Sequence, residues 1–293
     1  MEQERARRGP RYKHMLNDET PYETITVDKL TPIIGAEIGG IDLTTPLSNR
    51  QQDELHRALA ENLVIFFRDQ PLSPQQHMSF ARLFGDLHIH PAAPHVEGHP
   101  ELLRIYADKD SPRANGENWH SDVSCDEEPP MGSILHIRQC PPKGGDTLFA
   151  NMYAAYEALS DRMKGYLDGL TAIHDGEHVY RGTYANFGMA DKQVYPRAEH
   201  PVVRTHPVTG RKLLFVNSGF TTRIVGIPRD ESEAILAYLY QHSANPLFQC
   251  RFRWQPDSIA FWDNRCAMHR AMWDYWPHTR SGARATVKGD RPV

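Results

Sequence analysis

The chain has 293 residues, long for an average domain but within the range of all-β barrels and sandwiches that form one unit, and 40% of it is hydrophobic against 24% charged, enough apolar side chain to fill a large core. A formal net charge of −4 with no long Lys/Arg run excludes a phosphate-tracking surface, so no nucleic-acid partner is expected. No apolar stretch approaches the roughly 20 residues that span a bilayer, and Met1–Lys13 is basic and polar without the apolar centre of a signal peptide. The expectation is therefore no membrane partner and a cytoplasmic location. Four cysteines, Cys125, Cys140, Cys250 and Cys266, form no CxxC pair and read as reduced thiols.

Residues 1–22 mix charges with Gly, Pro and Asn and show no apolar period, a variable lead-in ahead of one domain over 23–293. Ser48 with Gln51 makes a capping box, and Leu55, Leu59 and Leu63 repeat at helical spacing before the strand-like Val64–Phe67. Ser73-Pro74-Gln75-Gln76 repeats the helix start, with Met78, Ala81 and Phe84 on the apolar face and Gly85 as the stop. Beyond residue 100 the apolar runs are short: 102–106, 133–137, 147–150, 202–205, 213–217, 248–254, 258–262 and 284–287. Such runs between Gly/Pro-rich turns predict strands, interrupted by helical periodicity over 152–170 and 231–240. The sum is mainly β with flanking helices, consistent with a jelly roll.

Trp119-His120-Ser121-Asp122 contains an HxD pair, and residues two apart in an extended strand face the same side, where both can grip one metal. The pair alone says little, because chance gives about two HxD/E pairs in such a composition, and His95-Val96-Glu97 and His99-Pro100-Glu101 are two more. Downstream, Trp262-Asp263-Asn264-Arg265 ends a strand-like run, with Asp263-Asn264 reading as a turn; His269 follows, and arginines stand at 280 and 284. A second imidazole would complete a two-histidine, one-carboxylate set of the kind that binds iron(II) on one face and leaves positions open. Zinc can use the same set, so metal identity does not follow from the ligands. Trp119 and Trp262 read first as core packing that keeps such a pocket dry.

In order along the chain, FGDLHIHP at 84–91, WHSDV at 119–123, GGDT at 144–147, THPVTGRKLLFVN at 205–217 and FWDNRCAMHRA at 261–271, followed by Arg280 and Arg284, resemble the taurine dioxygenase (TauD/TfdA) family of 2-oxoglutarate-dependent dioxygenases, from about Ile25 to Pro292. The resemblance implies a double-stranded β-helix, a jelly-roll variant, with His120, Asp122 and His269 as catalytic iron(II) ligands. It implies 2-oxoglutarate and O2 as co-substrates, with Arg280 and Thr147 on the distal carboxylate, a task suited to the guanidinium fork, and Trp262 as a further candidate contact. Arg284, four residues beyond Arg280 and so on the same strand face, matches the position that holds the substrate's anion, with His90 beside it and Val123 as apolar wall. Hydroxylation next to a sulfonate, with release of succinate and CO2, is the implied reaction, and a dimer or tetramer the implied assembly.

One departure bears on substrate. Two positions that help hold taurine's ammonium in the family are Ala93 and Asn115 here, which weakens the case for taurine itself, although neighbouring Glu117 is a possible substitute. Other alkanesulfonates, alkyl sulfates and phenoxyalkanoates or other carboxylates fit an Arg284 pocket as well. Outside this class stand a zinc hydrolase, which has no use for Arg280 and Thr147, and a silent jelly-roll binding protein, which has no need of the metal residues.

Overall fold

The fold is that of a computed structural model, described for residues 21–90, 94–111, 116–181 and 194–293. The chain opens with a hairpin of β1 (Thr26–Lys29) and β2 (Ala36–Gly39), then α1 (Asn49–Asn62), β3 (Val64–Phe67) and α2 (Pro74–Arg82). Both helices start at the capping boxes expected from sequence: Ser48 accepts from the Gln51 amide and Ser73 from the Gln76 amide, each glutamine bonding back. There follow β4 (His95–Val96), β5 (His99–Ala107), β6 (Gly132–Gln139), β7 (Thr147–Asn151), α3 (Met152–Glu157), α4 (Asp161–Leu167), β8 (Thr171–Asp175) and α5 (Glu177–Tyr180). The remainder is β9 (Arg197–Pro201), β10 (Val203–Thr205), β11 (Lys212–Leu214), β12 (Thr221–Ile224), α6 (Arg229–Ser243), β13 (Gln249–Phe252), β14 (Ser258–Asp263), β15 (Ala267–Ala271) and β16 (Arg280–Val287).

Eight strands form one sheet in the order β1-β2-β3-β14-β6-β16-β5-β4, antiparallel except between β2 and β3. A three-stranded sheet, β13-β7-β15, packs on its inner face. Side chains from both sheets share one core, in which Phe66 stacks on Phe252 at 3.9 Å between ring centroids and Phe149 meets Trp262 at 5.6 Å. Because strand residues alternate sides, Val64 and Phe66 enter this core while Ile65 and Phe67 enter a second one. There, on the outer face, Leu55 and Leu59 of α1 and Met78 and Phe80 of α2 cover the large sheet. Burial on both faces is why β3 and β14 read as continuous apolar runs rather than as alternating ones. The result is the expected jelly roll. The four cysteines are free thiols, and no helix of the described residues is long and apolar enough to cross a membrane.

Two expectations are corrected. The helical stretch over 152–170 is two helices, because Ser160 accepts from the Met163 amide and caps a new start at Asp161. His120 and Asp122 do not lie in a strand. His120 makes an isolated antiparallel bridge with His269, and the chain turns at once, Val123 taking φ 48°, a left-handed conformation rare for a β-branched residue.

Candidate active site

The bridge does what the strand was expected to do. His120 and His269 exchange backbone hydrogen bonds at 3.1 and 2.8 Å, which sets their rings 4.1 Å apart, and the turn after His120 folds Asp122 back against both. Asp122 Oδ1 lies 3.6 Å from His120 Nε2 and 3.9 Å from His269 Nε2. One donor atom from each residue falls within a 4.8 Å cluster. His120 Nδ1 sits 2.8 Å from the Asn118 carbonyl, so the ring proton belongs there and Nε2 is left as a lone-pair donor. Burial, then the neighbouring His120, holds His269 well below the usual imidazole range, so it is neutral. Burial pushes the Asp122 carboxyl up, but the Arg284 guanidinium beside it, foremost among its neighbours, outweighs this and keeps the carboxylate ionised. Two imidazoles and one carboxylate, convergent and largely shielded from water, fit a divalent cation.

A second convergent set, His206, Asp263 and Cys266, already has its cation: Arg265 Nε and Nη2 close on Asp263 at 2.9 and 2.7 Å. This pairing anchors the turn after β14, through which Asn264 reaches the first cluster.

A cavity of 320 Å³ opens on the metal-ligand cluster. At one end stands Arg280, buried, with Nε donating to the Gly145 carbonyl at 3.1 Å while Nη2 finds no partner. Gly145 has φ +71°, and a Cβ there would press on Arg280 Cδ at 3.2 Å and Pro141 Cγ at 3.0 Å, so the glycine is what allows this approach. Beside it Thr147 accepts from Trp254 Nε1 at 3.0 Å, which leaves the hydroxyl proton free to be donated into the cavity. A buried, unpartnered guanidinium nitrogen next to a hydroxyl whose proton is free fits a carboxylate. Trp262 gives its N–H to Asn264 at 2.9 Å, so only its ring face, 4.6 Å from that of His269, meets the cavity.

The other end is built differently. Arg284 Nη1 lies 2.6 Å from Asp122 Oδ1. His90 stands at the same end, its pKa brought down to about 4 by burial and by Arg284, so it is neutral near pH 7. Val123 packs with Cys125 and Phe220, against which Val179 and Tyr180 lean, to form an apolar wall. Every site residue expected from sequence thus borders one cavity: His90, His120, Asp122, Val123, Thr147, Trp262, His269, Arg280 and Arg284. Ala93 and Asn115 lie outside the described residues. Sequence reasoning missed Trp254, Phe220 and Tyr180, whose roles rest on contacts across strands and carry no local motif.

Fold and site define a jelly-roll protein with one pocket in which three side chains suited to a metal converge between two arginines. The chain matches the family described as taurine catabolism dioxygenase TauD, TfdA family, over residues 26–286, and it belongs to that family. It is 35% identical over 287 residues to an alpha-ketoglutarate-dependent sulfonate dioxygenase of Saccharomyces cerevisiae, covering 92% of this chain and 68% of the relative. To an alkylsulfatase of Acinetobacter baylyi it is 35% identical over 281 residues, covering 93% and 87%. Among solved structures, a taurine dioxygenase from Burkholderia xenovorans aligns with a TM-score of 0.81 at 38% identity, over 92% of this chain and 91% of that one.

Proposed function

We propose that the protein is an iron(II)- and 2-oxoglutarate-dependent dioxygenase that hydroxylates a small organic sulfonate or sulfate ester at the carbon beside the anionic group. The observation that carries this reading is the single cavity in which three convergent metal-ligand side chains lie between Arg280, with its unpartnered Nη2, and Arg284. Iron(II) held by His120, Asp122 and His269 supplies, with O2 and 2-oxoglutarate, an oxidant able to attack an unactivated C–H bond, the co-substrate leaving as succinate and CO2.

The chain's own part is binding and exclusion. Arg280 and Thr147 hold the distal carboxylate of 2-oxoglutarate, and Trp262 walls that end. Arg284 supplies the charge that a sulfonate or sulfate needs in a buried site, and neutral His90 adds a ring nitrogen. With the anion fixed there, Val123 and Phe220 press on the organic part, which favours an apolar tail over the ammonium of taurine. The names of the yeast and Acinetobacter relatives support a sulfonate or a sulfate. The reading takes the enzyme as cytoplasmic and as a dimer or tetramer, which size-exclusion chromatography checks.

The test is succinate formation by metal-stripped protein resupplied with iron(II), 2-oxoglutarate, ascorbate and O2, across taurine, longer alkanesulfonates, alkyl sulfates and phenoxyalkanoates. Strong stimulation by the longer alkanesulfonates or alkyl sulfates is expected, with taurine weaker and zinc inactive. His120→Ala and Asp122→Ala are expected to abolish turnover. Turnover by either variant, or a preference for phenoxyalkanoates, would overturn the metal assignment or the substrate class respectively.

A further inference from the structure

The Asp122 carboxylate has two oxygens in different surroundings. Oδ1 faces the two imidazoles and Arg284, whereas Oδ2 points the other way and accepts from Ser133 Oγ at 2.7 Å. Ser133 is fully buried in β6, directly across from Trp262 of β14 and Thr286 of β16. A hydroxyl has one proton to give, and the surroundings fix where it goes. Asn264 Nδ2 donates to Ser133 Oγ at 3.1 Å, so the serine oxygen is an acceptor there and its own proton is committed to Asp122.

The amide of Asn264 is fixed in turn. Its Oδ1 accepts from Trp262 Nε1 at 2.9 Å and from the Asp122 backbone amide at 3.3 Å, so Nδ2 must face the serine. The Asn264 main chain is pinned as well, its amide donating to the Met131 carbonyl at 2.8 Å and its carbonyl accepting from Ser121 Oγ at 2.6 Å. Indole, amide, hydroxyl and carboxylate form a chain of hydrogen bonds running one way, with every donor direction determined.

We infer that Ser133, oriented by Asn264, is a positioning residue that makes Asp122 a ligand through one oxygen. Its hydroxyl occupies Oδ2 and holds the carboxylate plane so that Oδ1 alone is presented to the cation. Without it Oδ2 loses its hydrogen bond, the carboxylate plane is held at Oδ1 by Arg284 alone, and both oxygens would be open to the cation. The inference rests on the metal reading above and adds to it how the third ligand is set.

The test uses metal-stripped full-length protein titrated anaerobically with cobalt(II), reading affinity by calorimetry and coordination by the visible d–d absorption, before and after 2-oxoglutarate. Ser133→Ala is expected to weaken cobalt binding roughly 10–100-fold, the usual cost of losing an outer-shell partner, and to change the absorption band while the metal-free protein melts cooperatively. Ser133→Thr, which keeps the hydroxyl, is expected to restore both affinity and band. Wild-type affinity and spectrum in Ser133→Ala would overturn the assignment. So would equal losses in Ala and Thr variants accompanied by early melting, which mark a packing role. Failure of the wild-type protein to bind cobalt at all would instead sink the metal reading, and this inference with it.

Discussion

On the proposed function, the two ends of the cavity solve one problem, binding an anion away from water, by different means. At the Arg280 end Arg280 and Thr147 begin strands β16 and β7, and hydrogen bonds tie them to the adjoining segments: Arg280 to Gly145, Thr147 to Trp254, Gly145 to Asp274. At the Arg284 end the arginine sits on a strand between Leu103 and Leu135, while His90, Val123 and Phe220 come from connecting segments, Val123 and Phe220 making apolar contact. A ligand that never changes is served by a fixed polar socket. A ligand that differs between family members is served by one fixed charge and a wall whose side chains can be exchanged without touching the sheet.

The sharpest way to break this comparison is to remove each cation in turn. Arg280→Ala is expected to weaken 2-oxoglutarate binding by about 1.5–3 kcal/mol, the worth of a charged hydrogen bond, while leaving the KM for the sulfonate or sulfate unchanged. Arg284→Ala, measured at saturating iron(II) because this arginine also steadies Asp122, should raise chiefly the KM for the sulfonate or sulfate. Steady-state titration of each substrate decides it, and a loss on the same ligand in both variants would mean the ends are not separate.

Acid should loosen the Arg284 end through His174, which supports the turn after Asp122 by meeting Ser124 Oγ at 2.9 Å and packs on His200 at 5.2 Å. Burial, then His200, brings its pKa down to about 3. The folded form therefore refuses a proton that the unfolded chain accepts below about 6.5, and stability present above that value is lost as pH falls toward 3. Between pH 7 and pH 5 the loss is about 2 kcal/mol from this residue. Thermal melts of the wild type and His174→Gln at both pH values should show a smaller decline in the variant; parallel declines would acquit His174.

The smallest effect sharpens the picture of the fixed socket. Trp254→Phe keeps an aromatic ring but removes the N–H that directs the Thr147 hydroxyl, and is expected to raise the KM for 2-oxoglutarate by about 1 kcal/mol, roughly fivefold. An unchanged KM would show that Thr147 needs no direction.

Much of this site was legible in the chain because its charged members sit in short linear motifs: His120 and Asp122 two apart, His269 after a turn, Arg280 and Arg284 at even spacing on β16. The helices α1 and α2 were legible for a similar reason, since a capping box is a four-residue signal. What the sequence hid is whatever strand pairing creates. Ser133 looks like one small residue in an apolar run, and nothing local says that Trp262 and Thr286 will flank it. The strand expected at His120–Asp122 failed because Val123 adopts a left-handed turn that its β-branched side chain argues against. Tertiary packing overrode local preference at the point where the third ligand must fold back.

The bridge between His120 and His269 also bears on how the molecule holds together. It joins segments from distant parts of the chain through its own two backbone hydrogen bonds, with one more beside it from the Ala271 amide to the Gly116 carbonyl at 2.8 Å. An ion gripped from both sides acts there as a removable staple, because the unfolded chain cannot bring its ligands together and binding is linked to folding. At a hundred times its dissociation constant such an ion adds about 2.7 kcal/mol to the folded form. Metal supply would then set the lifetime of this protein against proteolysis as well as its turnover.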